Sequence, residues 1–398
     1  MALPFEGIRV LEMSVFQQGT FPGAMLSDLG ADVIKIEGPD SPDPGRELIN
    51  FADLPYNAYF QTLNRGKRGI CLDLKKESAR KVLYKLVESA DIFISNLRLS
   101  PLQRLGADYP SLSKVNPRLI YGRASGYGPE GPEAGFASMD ILGQARGGLM
   151  SVTGGASGPP RAAGAAIADH TGALTMAFGL ATALLHRERT GEGQEVDASL
   201  LGGQLCIQTH NITYSWWSGK VPHRRDLLPS ATWNTYKGSD GKWFCLGMNR
   251  QMYWPGICKV VGRLDWLDDE RYGTLESRLV HANALHDDFE VIFKTKTAAE
   301  WVRLFSEADL LATRVNDYDE LFEDPQVASN YVDYLEPPDG SGALPIVGIP
   351  VVFSKTPGHP KGMAPEFGQH TEEVLLEAGF DWEQISALRE EGAIGVHD

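Results

Sequence analysis

Ile8-Arg-Val-Leu-Glu-Met13 and Ala31-Asp-Val-Ile-Lys-Ile-Glu37 are the stretches whose reading decides the fold. The first reads as a strand, and the second, with its nearly continuous apolar run, as another. Between them, Gln17-Gln18-Gly19 turns the chain into Pro22–Leu29, a helix pattern closed by Gly30. Strand, short helix and strand begin a parallel, doubly wound α/β sheet. Working outward, Arg65-Gly-Lys-Arg-Gly-Ile-Cys-Leu-Asp-Leu-Lys75 places three cations on a glycine-containing turn and then enters a strand. Lys76–Ser89 carries Ala79, Val82, Leu83, Leu86 and Val87 at helical spacing, and Asp91–Ser95 and Arg118–Tyr121 read as further strands. Ligands bind at strand C-termini in such sheets, so Gln17, Asn96 and Arg98 stand in ligand-binding positions. The cations are read either as a solvated face or as a cluster for an anionic ligand.

The 398 residues predict two lobes rather than one small core. A formal net charge of −15 argues against a general binder of nucleic acid or anionic membrane, yet allows an anionic small ligand held by local Arg and Lys. Cys71, Cys206, Cys245 and Cys258 show no metal-ligand spacing and read as isolated buried thiols in a reducing cytoplasm. No leader pattern opens the sequence, and no apolar run reaches the roughly 18–20 residues of a membrane span. The expectation is a soluble cytoplasmic protein with no metal.

Gly38–Asn57, with Pro39, Pro42, Pro44 and Pro55, reads as a long functional loop. Gly126-Tyr-Gly-Pro-Glu-Gly131 matches G-x-G-x-x-G in form only, because Pro129 and Pro132 prevent a helix from opening there. Ser138–Gly147 reads as a helix start with Asp140 near its N-terminus. The small and apolar residues Gly164–Ala168 then deliver Asp169 to a helix pattern over Gly172–His186. Asp169 either caps that helix or is a nucleophilic carboxylate in a close-packed spot that a substrate can approach. Glu195–Ser199 reads as another strand, and a second long helical pattern runs to about Gly219. Trp233–Tyr236 and Trp243–Gly247 flank a hairpin turn at Gly238–Gly241, and the chain is expected to end in a helix over Thr371–Ala378. The expected domains are 1–220, a smaller α+β lobe at 221–313, and 314–398 returning to the first. Trp216, Trp217, Trp233, Tyr236 and Trp254 read as core or as an aromatic pocket.

Taken together the chain resembles the class III coenzyme A transferases, the family of formyl-CoA and carnitine-CoA transferases. The resemblance is carried by Gly7-Ile-Arg-Val-Leu11, Ser27–Glu37, Asn64–Asp73, Gly126–Pro132 and Gly148–Gly154. The small residues before Asp169, Thr190-Gly-Glu-Gly-Gln194 and Gly368–Val374 complete it, and it covers nearly the whole chain in order. It implies a Rossmann-like large domain, a small domain and an interlocked homodimer. It also implies that Asp169 is the nucleophile and Gln17 a catalytic partner. Implied coenzyme A contacts are Gln17, Gln18, Leu72, Asp73, Lys75, Asn96, Leu97, Arg98, Arg104, Met139 and Asp140. Gly38 and Ala137 stand where several relatives carry basic residues. Met248, Asn249 and Arg250 match the family's substrate-side loop.

The implied chemistry needs no tightly bound cofactor, since coenzyme A and its thioesters are substrates. Asp169 would attack a donor thioester, passing through an aspartyl mixed anhydride and an aspartyl-CoA thioester. The Gln17 amide and backbone N–H groups of a Gly-rich loop would stabilise the oxyanions. Arg250 would meet a substrate carboxylate, as suits a dicarboxylate. Two alternatives remain. A 2-methylacyl-CoA racemase needs two opposed acid/base groups, and Met139 stands where such relatives have a His, leaving His170 as a substitute. The other is a non-catalytic acyl-CoA-binding protein.

Overall fold

A computed structural model describes residues 2–48, 54–225 and 229–396. They divide into two compact units: 2–153 with 160–222 and 329–396, and 154–159 with 223–328. The stretch 314–328, expected to return to the first lobe, belongs to the second unit.

The first unit is built on six parallel strands, β1 (Arg9–Met13), β2 (Asp32–Glu37), β3 (Arg68–Leu72), β4 (Ile92–Ser95), β5 (Ile120–Ser125) and β6 (Glu195–Ser199). Their spatial order is β3-β2-β1-β4-β5-β6, the order of a doubly wound sheet whose direction of winding reverses between β1 and β4. Both faces are covered, as the apolar runs require. Val10, Val33 and Ile92 point to one core, shared with Met176 and Leu180. Leu11, Ile34 and Phe93 point to the other, shared with Val82 and Leu86.

The helices that position the site are α1 (Phe21–Asp28), α2 (Ala58–Asn64), α3 (Glu77–Val87), α4 (Leu99–Leu105), α5 (Tyr109–Val115), α6 (Asp140–Arg146), α7 (Leu149–Val152) and α8 (Ile167–Thr190). α9 (Leu200–Ile207) and α10 (Thr209–Ser218) follow β6. Helix α1 ends where Gly30 takes φ +112°, a conformation that favours glycine.

Several expectations are corrected. The helix after Asp169 runs from Ile167 to Thr190, so Asp169 lies inside its first turn rather than before it. The second long helix is broken at Gln208 into α9 and α10. Helix α2 stands between the proline-rich loop and the cation turn, nucleated by the Asn57 side chain, which accepts the Phe60 N–H at 3.1 Å. Residues 49–53 of that loop lie outside the described residues. The chain does not end with Thr371–Glu377: a helix at Trp382–Glu390 follows. Then comes a short strand, Ile394–Gly395, paired antiparallel to β3 at the sheet's edge. Arg65 and Lys67 are not solvated cations. Both are fully buried, Arg65 against Asp28 at 2.7 Å and Lys67 against Glu12 at 2.7 Å. Cys71 and Cys258 are buried, but Cys206 is exposed and Cys245 only half-buried. Among the described residues no helix is long and apolar enough to cross a membrane.

The second unit holds a three-stranded antiparallel sheet, β7 (Trp233–Lys237), β8 (Trp243–Gly247) and β9 (Ala312–Arg314), with the expected hairpin turn at Gly241, φ +76°. Its core is aromatic: Tyr236, Phe244, Trp254, Phe289 and Phe293 are buried together. Tyr236 and Trp254 are therefore core, whereas Trp233 is exposed.

Candidate active site

The C-terminal ends of parallel strands β1, β4 and β5 open onto a cavity of about 390 Å³ at the point where the winding reverses. Its wall includes Val15 and Gln18 after β1, Asn96, Leu97 and Arg98 after β4, and Met139 and Asp169 from the α6 and α8 starts. The strand-end rule thus gathers residues far apart in sequence.

Asp169 is in the first turn of α8, where the helix dipole favours a negative charge. It does not cap the helix. The free N–H groups of Ala168 and Asp169 are instead taken by one oxygen of Asp140, at 2.7 and 3.1 Å. The other Asp140 oxygen accepts from Gln144 at 2.6 Å. The helix-capping role considered for Asp169 is performed by Asp140, and the Asp169 carboxylate accepts no hydrogen bond among the described residues. Its pKa is pushed up to about 7, first by burial and then by the Asp140 charge. At neutral pH a large fraction is ionised, and a more basic carboxylate is a better nucleophile.

Close packing fixes this spot. A Cβ on Gly143 of α6 would come within 2.9 Å of the Ala168 Cβ, and one on Gly203 of α9 within 2.7 Å of the Thr171 hydroxyl. The small residues let three helix backbones meet beneath Asp169. His170 packs edge-on against Phe21 at 5.0 Å, and burial lowers its pKa, which favours the neutral ring.

Gln17 lies in the turn after β1, next to the cavity-lining Phe16 and Gln18 but not itself in the wall, and its side chain faces Tyr59 of α2. Burial raises the Tyr59 phenol well above its usual range, the neighbouring Gln17 side chain works against that rise, and the Asp169 charge adds to it. Tyr59 is the residue near Asp169 that sequence reasoning missed. The one signal for it was Asn57, an N-cap residue before an unassigned apolar segment.

The remaining sequence-derived positions divide. The buried Gln18 amide donates to the carbonyls of Ser125 at 3.0 Å and Ala198 at 3.1 Å, tying the turn to β5 and β6. Asn96 grips Val15 through both its N–H and its carbonyl, at 2.9 and 2.6 Å. Leu97 and Arg98 line the cavity, and Arg98 forms no ion pair among the described residues. Leu72, Asp73 and Lys75 line a second, smaller cavity of about 100 Å³ beside Gly38, where Lys75 pairs with Asp40 at 2.9 Å. Arg104 is exposed on α4 and lines neither cavity. Met139 is exposed at the start of α6 and has no titratable proton. In the second unit, Met248 is buried in the aromatic core while Asn249 and Arg250 are exposed.

Comparison with known proteins bears directly on this geometry. The profile described as CoA-transferase family III matches residues 5–371. The succinate–glutarate CoA-transferase of Agrobacterium fabrum is 34% identical, over 94% of this chain and 95% of that protein. The formyl-CoA:oxalate CoA-transferase of Rhodopseudomonas palustris is 30% identical, over 99% of this chain and 98% of its own. Among solved structures, a CAIB/BAIF family protein from Brucella suis superimposes with a TM-score of 0.84 at 30% identity, covering 95% of this chain and all of that one.

Proposed function

The chain belongs to CoA-transferase family III and is a class III CoA-transferase, and from that premise we propose that Asp169 carries the coenzyme A between two carboxylic acids. What supports this is the unpartnered Asp169 carboxylate, held at a pKa of about 7 in the wall of the switch-point cavity. An Asp169 oxygen attacks the donor thioester carbonyl; the C–S bond breaks and coenzyme A leaves as thiolate. The thiolate attacks the Asp169 carbonyl of the mixed anhydride, releasing the donor acid as carboxylate and leaving an aspartyl-CoA thioester. The acceptor carboxylate opens that thioester to a second anhydride, and the thiolate then takes the acceptor acyl group and frees Asp169. No proton is transferred, and the thioester energy is kept throughout.

Gln17, with Tyr59 beside it, supplies hydrogen-bond donors for the oxyanions. Leu97 and Arg98 take the thioester end of coenzyme A, with Asn96 and Gln18 shaping the wall. Leu72, Asp73 and Lys75 take another part of the molecule, and Arg104 its charged end. Met139 contacts the same ligand, while Asp140 acts through the helix it caps. Of the expected Met248–Arg250 loop, Met248 is buried core and serves only to anchor it; Asn249 and Arg250 are assigned to the acid, with Arg250 for a second carboxylate where the acid has one. The enzyme is read as cytoplasmic, with no tightly bound cofactor, and as an interlocked homodimer of Rossmann-like large and smaller α+β domains. The exposure of Phe178, Trp216 and Trp217, at 74%, 86% and 84%, supports a surface covered by a second copy.

Intact mass after incubation with acyl-CoA donors, followed by hydroxylamine or borohydride, tests the reading. The expected adduct maps to Asp169 and is lost in Asp169→Ala. Absence of any adduct, together with exchange of the substrate α-proton into deuterated water, would replace it with a racemase.

A further inference from the structure

Gln17 sits in a turn whose shape is imposed from outside. Phe16, immediately before it, has φ +59°, a left-handed conformation that a residue with a side chain keeps only where its surroundings over-determine it. Those surroundings are charged. One oxygen of Asp43 accepts the N–H groups of Phe16 at 3.1 Å and Gly45 at 2.9 Å. Its other oxygen stands 2.9 Å from the Lys35 ammonium. Lys35 donates to the Ser14 carbonyl at 2.8 Å and faces Glu12, its register partner across β1 and β2, at 3.4 Å. Glu12 also receives Lys67, which donates to both its oxygens at 2.9 and 2.7 Å and to the Thr20 carbonyl at 2.8 Å.

The four side chains are fully buried. The α1 helix makes room for them: a Cβ on Gly23 would come within 2.0 Å of a Glu12 oxygen. The cluster thus grips the backbone at residues 14, 16 and 20, the two ends and the strained point of the turn. A buried ion cluster is weak evidence for stability, since well-packed apolar residues serve at least as well. What it supplies here is a fixed backbone.

We propose that Glu12, Lys35, Asp43 and Lys67 form a positioning cluster that holds the Phe16 turn so that the Gln17–Tyr59 pair keeps its place beside Asp169. None of the four touches substrate. The proposal rests on the reading of Gln17 as an oxyanion donor.

A double-mutant cycle with hydrogen exchange tests it, using the full-length enzyme with succinyl-CoA and glutarate as the first donor and acceptor pair. Asp43→Ala is expected to lower kcat about 10-fold or more with the donor KM within about 2-fold. It is also expected to speed amide exchange across residues 14–20. In a Gln17→Ala background the same change should cost less than about 2-fold, because its effect acts through Gln17. Asp43→Asn keeps the acceptor for both N–H groups but turns an NH2 donor toward Lys35 in place of the charged oxygen, so it should recover only part of kcat, and it stands in if the alanine variant does not fold. Unchanged exchange across 14–20, or a kcat loss that multiplies fully onto Gln17→Ala, would overturn the proposal. A Gln17→Ala enzyme with undiminished kcat would instead sink the underlying role of Gln17 and the catalytic part of the proposal with it, while exchange would still report on the clamp.

Discussion

The Asp140 carboxylate accepts the backbone N–H of Asp169 at 3.1 Å, so one acidic residue holds the other's helix turn in place while its charge opposes the other's ionisation. The two effects are separable, because an amide oxygen accepts hydrogen bonds as well as a carboxylate without carrying the charge.

Replacing Asp140 by Asn therefore keeps an acceptor for α8 and removes the like charge. The Asp169 pKa of about 7 is raised first by burial and second by Asp140, so it should fall but stay above the ordinary carboxylate range. The ascending limb of kcat/KM against pH should move to lower pH. Asp140→Ala should move it similarly and in addition lose the cap, at about 1 kcal/mol of stability. Rate profiles and denaturant midpoints for the two variants check both parts. A limb that stays in place in Asp140→Asn would show that Asp169 does not govern it.

The raised pKa also has a stability sign. Between the unfolded value of 3.8 and the folded value of about 7, the folded protein keeps a proton that the unfolded chain has lost. This contribution is fully present below about pH 4 and is lost as pH rises through about 7. Asp169→Asn cannot ionise, so it should be more stable than the native enzyme at pH 8. The gain is a few kcal/mol at most, because a tenfold change in proton affinity is worth about 1.4 kcal/mol. The two proteins should converge near pH 4. Urea midpoints at the two pH values measure the difference, and equal midpoints at pH 8 would deny Asp169 its raised pKa.

Much of the sheet was legible because its signals are local. Val10, Leu11, Val33 and Ile34 announce strands, and Gly30 announces the end of α1. The pairing of Ile394 with Leu72 carries no local signal at all. The start of α8 was misplaced for the same reason: its cap is Asp140, 28 residues before Ala168, while Asp169 mimics a local cap. Among the residues that line the cavity, Asn96 and Arg98 stand at a strand end and Asp169 at a family position, each open to reading from the sequence. Tyr59 is not, because seven-residue α2 is too short for a clear period. Arg65 and Lys67 looked like surface cations, since burial of a charge depends on partners elsewhere in the chain, here Asp28 and Glu12. The opposite charges of Glu12 and Lys35, each set between apolar residues of its strand, were the available hint.

Gly143 offers a steric test of the helix junction under Asp169. A methyl group there would lie 2.9 Å from the Ala168 Cβ and 3.0 Å from the Leu200 Cβ, closer than carbon atoms pack. Both contacts are with Cβ atoms fixed to the backbone of different helices, so the backbones must separate. Gly143→Ala should cost about 1–3 kcal/mol of stability and, by moving Ala168 and with it the Asp169 carboxylate proposed as nucleophile, lower kcat more than it raises KM. Thermal denaturation together with steady-state kinetics checks this. A fully active variant of native stability would show that the junction is loose.

Two arginines line the cavity, and they should behave in opposite ways. Arg123 is held by Asp197 at 2.7 Å between β5 and β6, so its charge is already matched. Arg98 is exposed, in the cavity wall and without an ionic partner among the described residues. Its charge is available to a phosphate or carbonyl oxygen of the bound thioester. Arg98→Ala should raise KM for acyl-CoA about 5- to 10-fold with kcat little changed, the pattern of a contact made equally in ground and transition states. Because the interaction is partly solvated, the native KM should rise with salt, and the variant's KM should rise less. Arg123→Ala should instead leave Asp197 unmatched and show its effect mainly in stability. A KM that responds to Arg123→Ala and ignores Arg98→Ala would reverse the assignment.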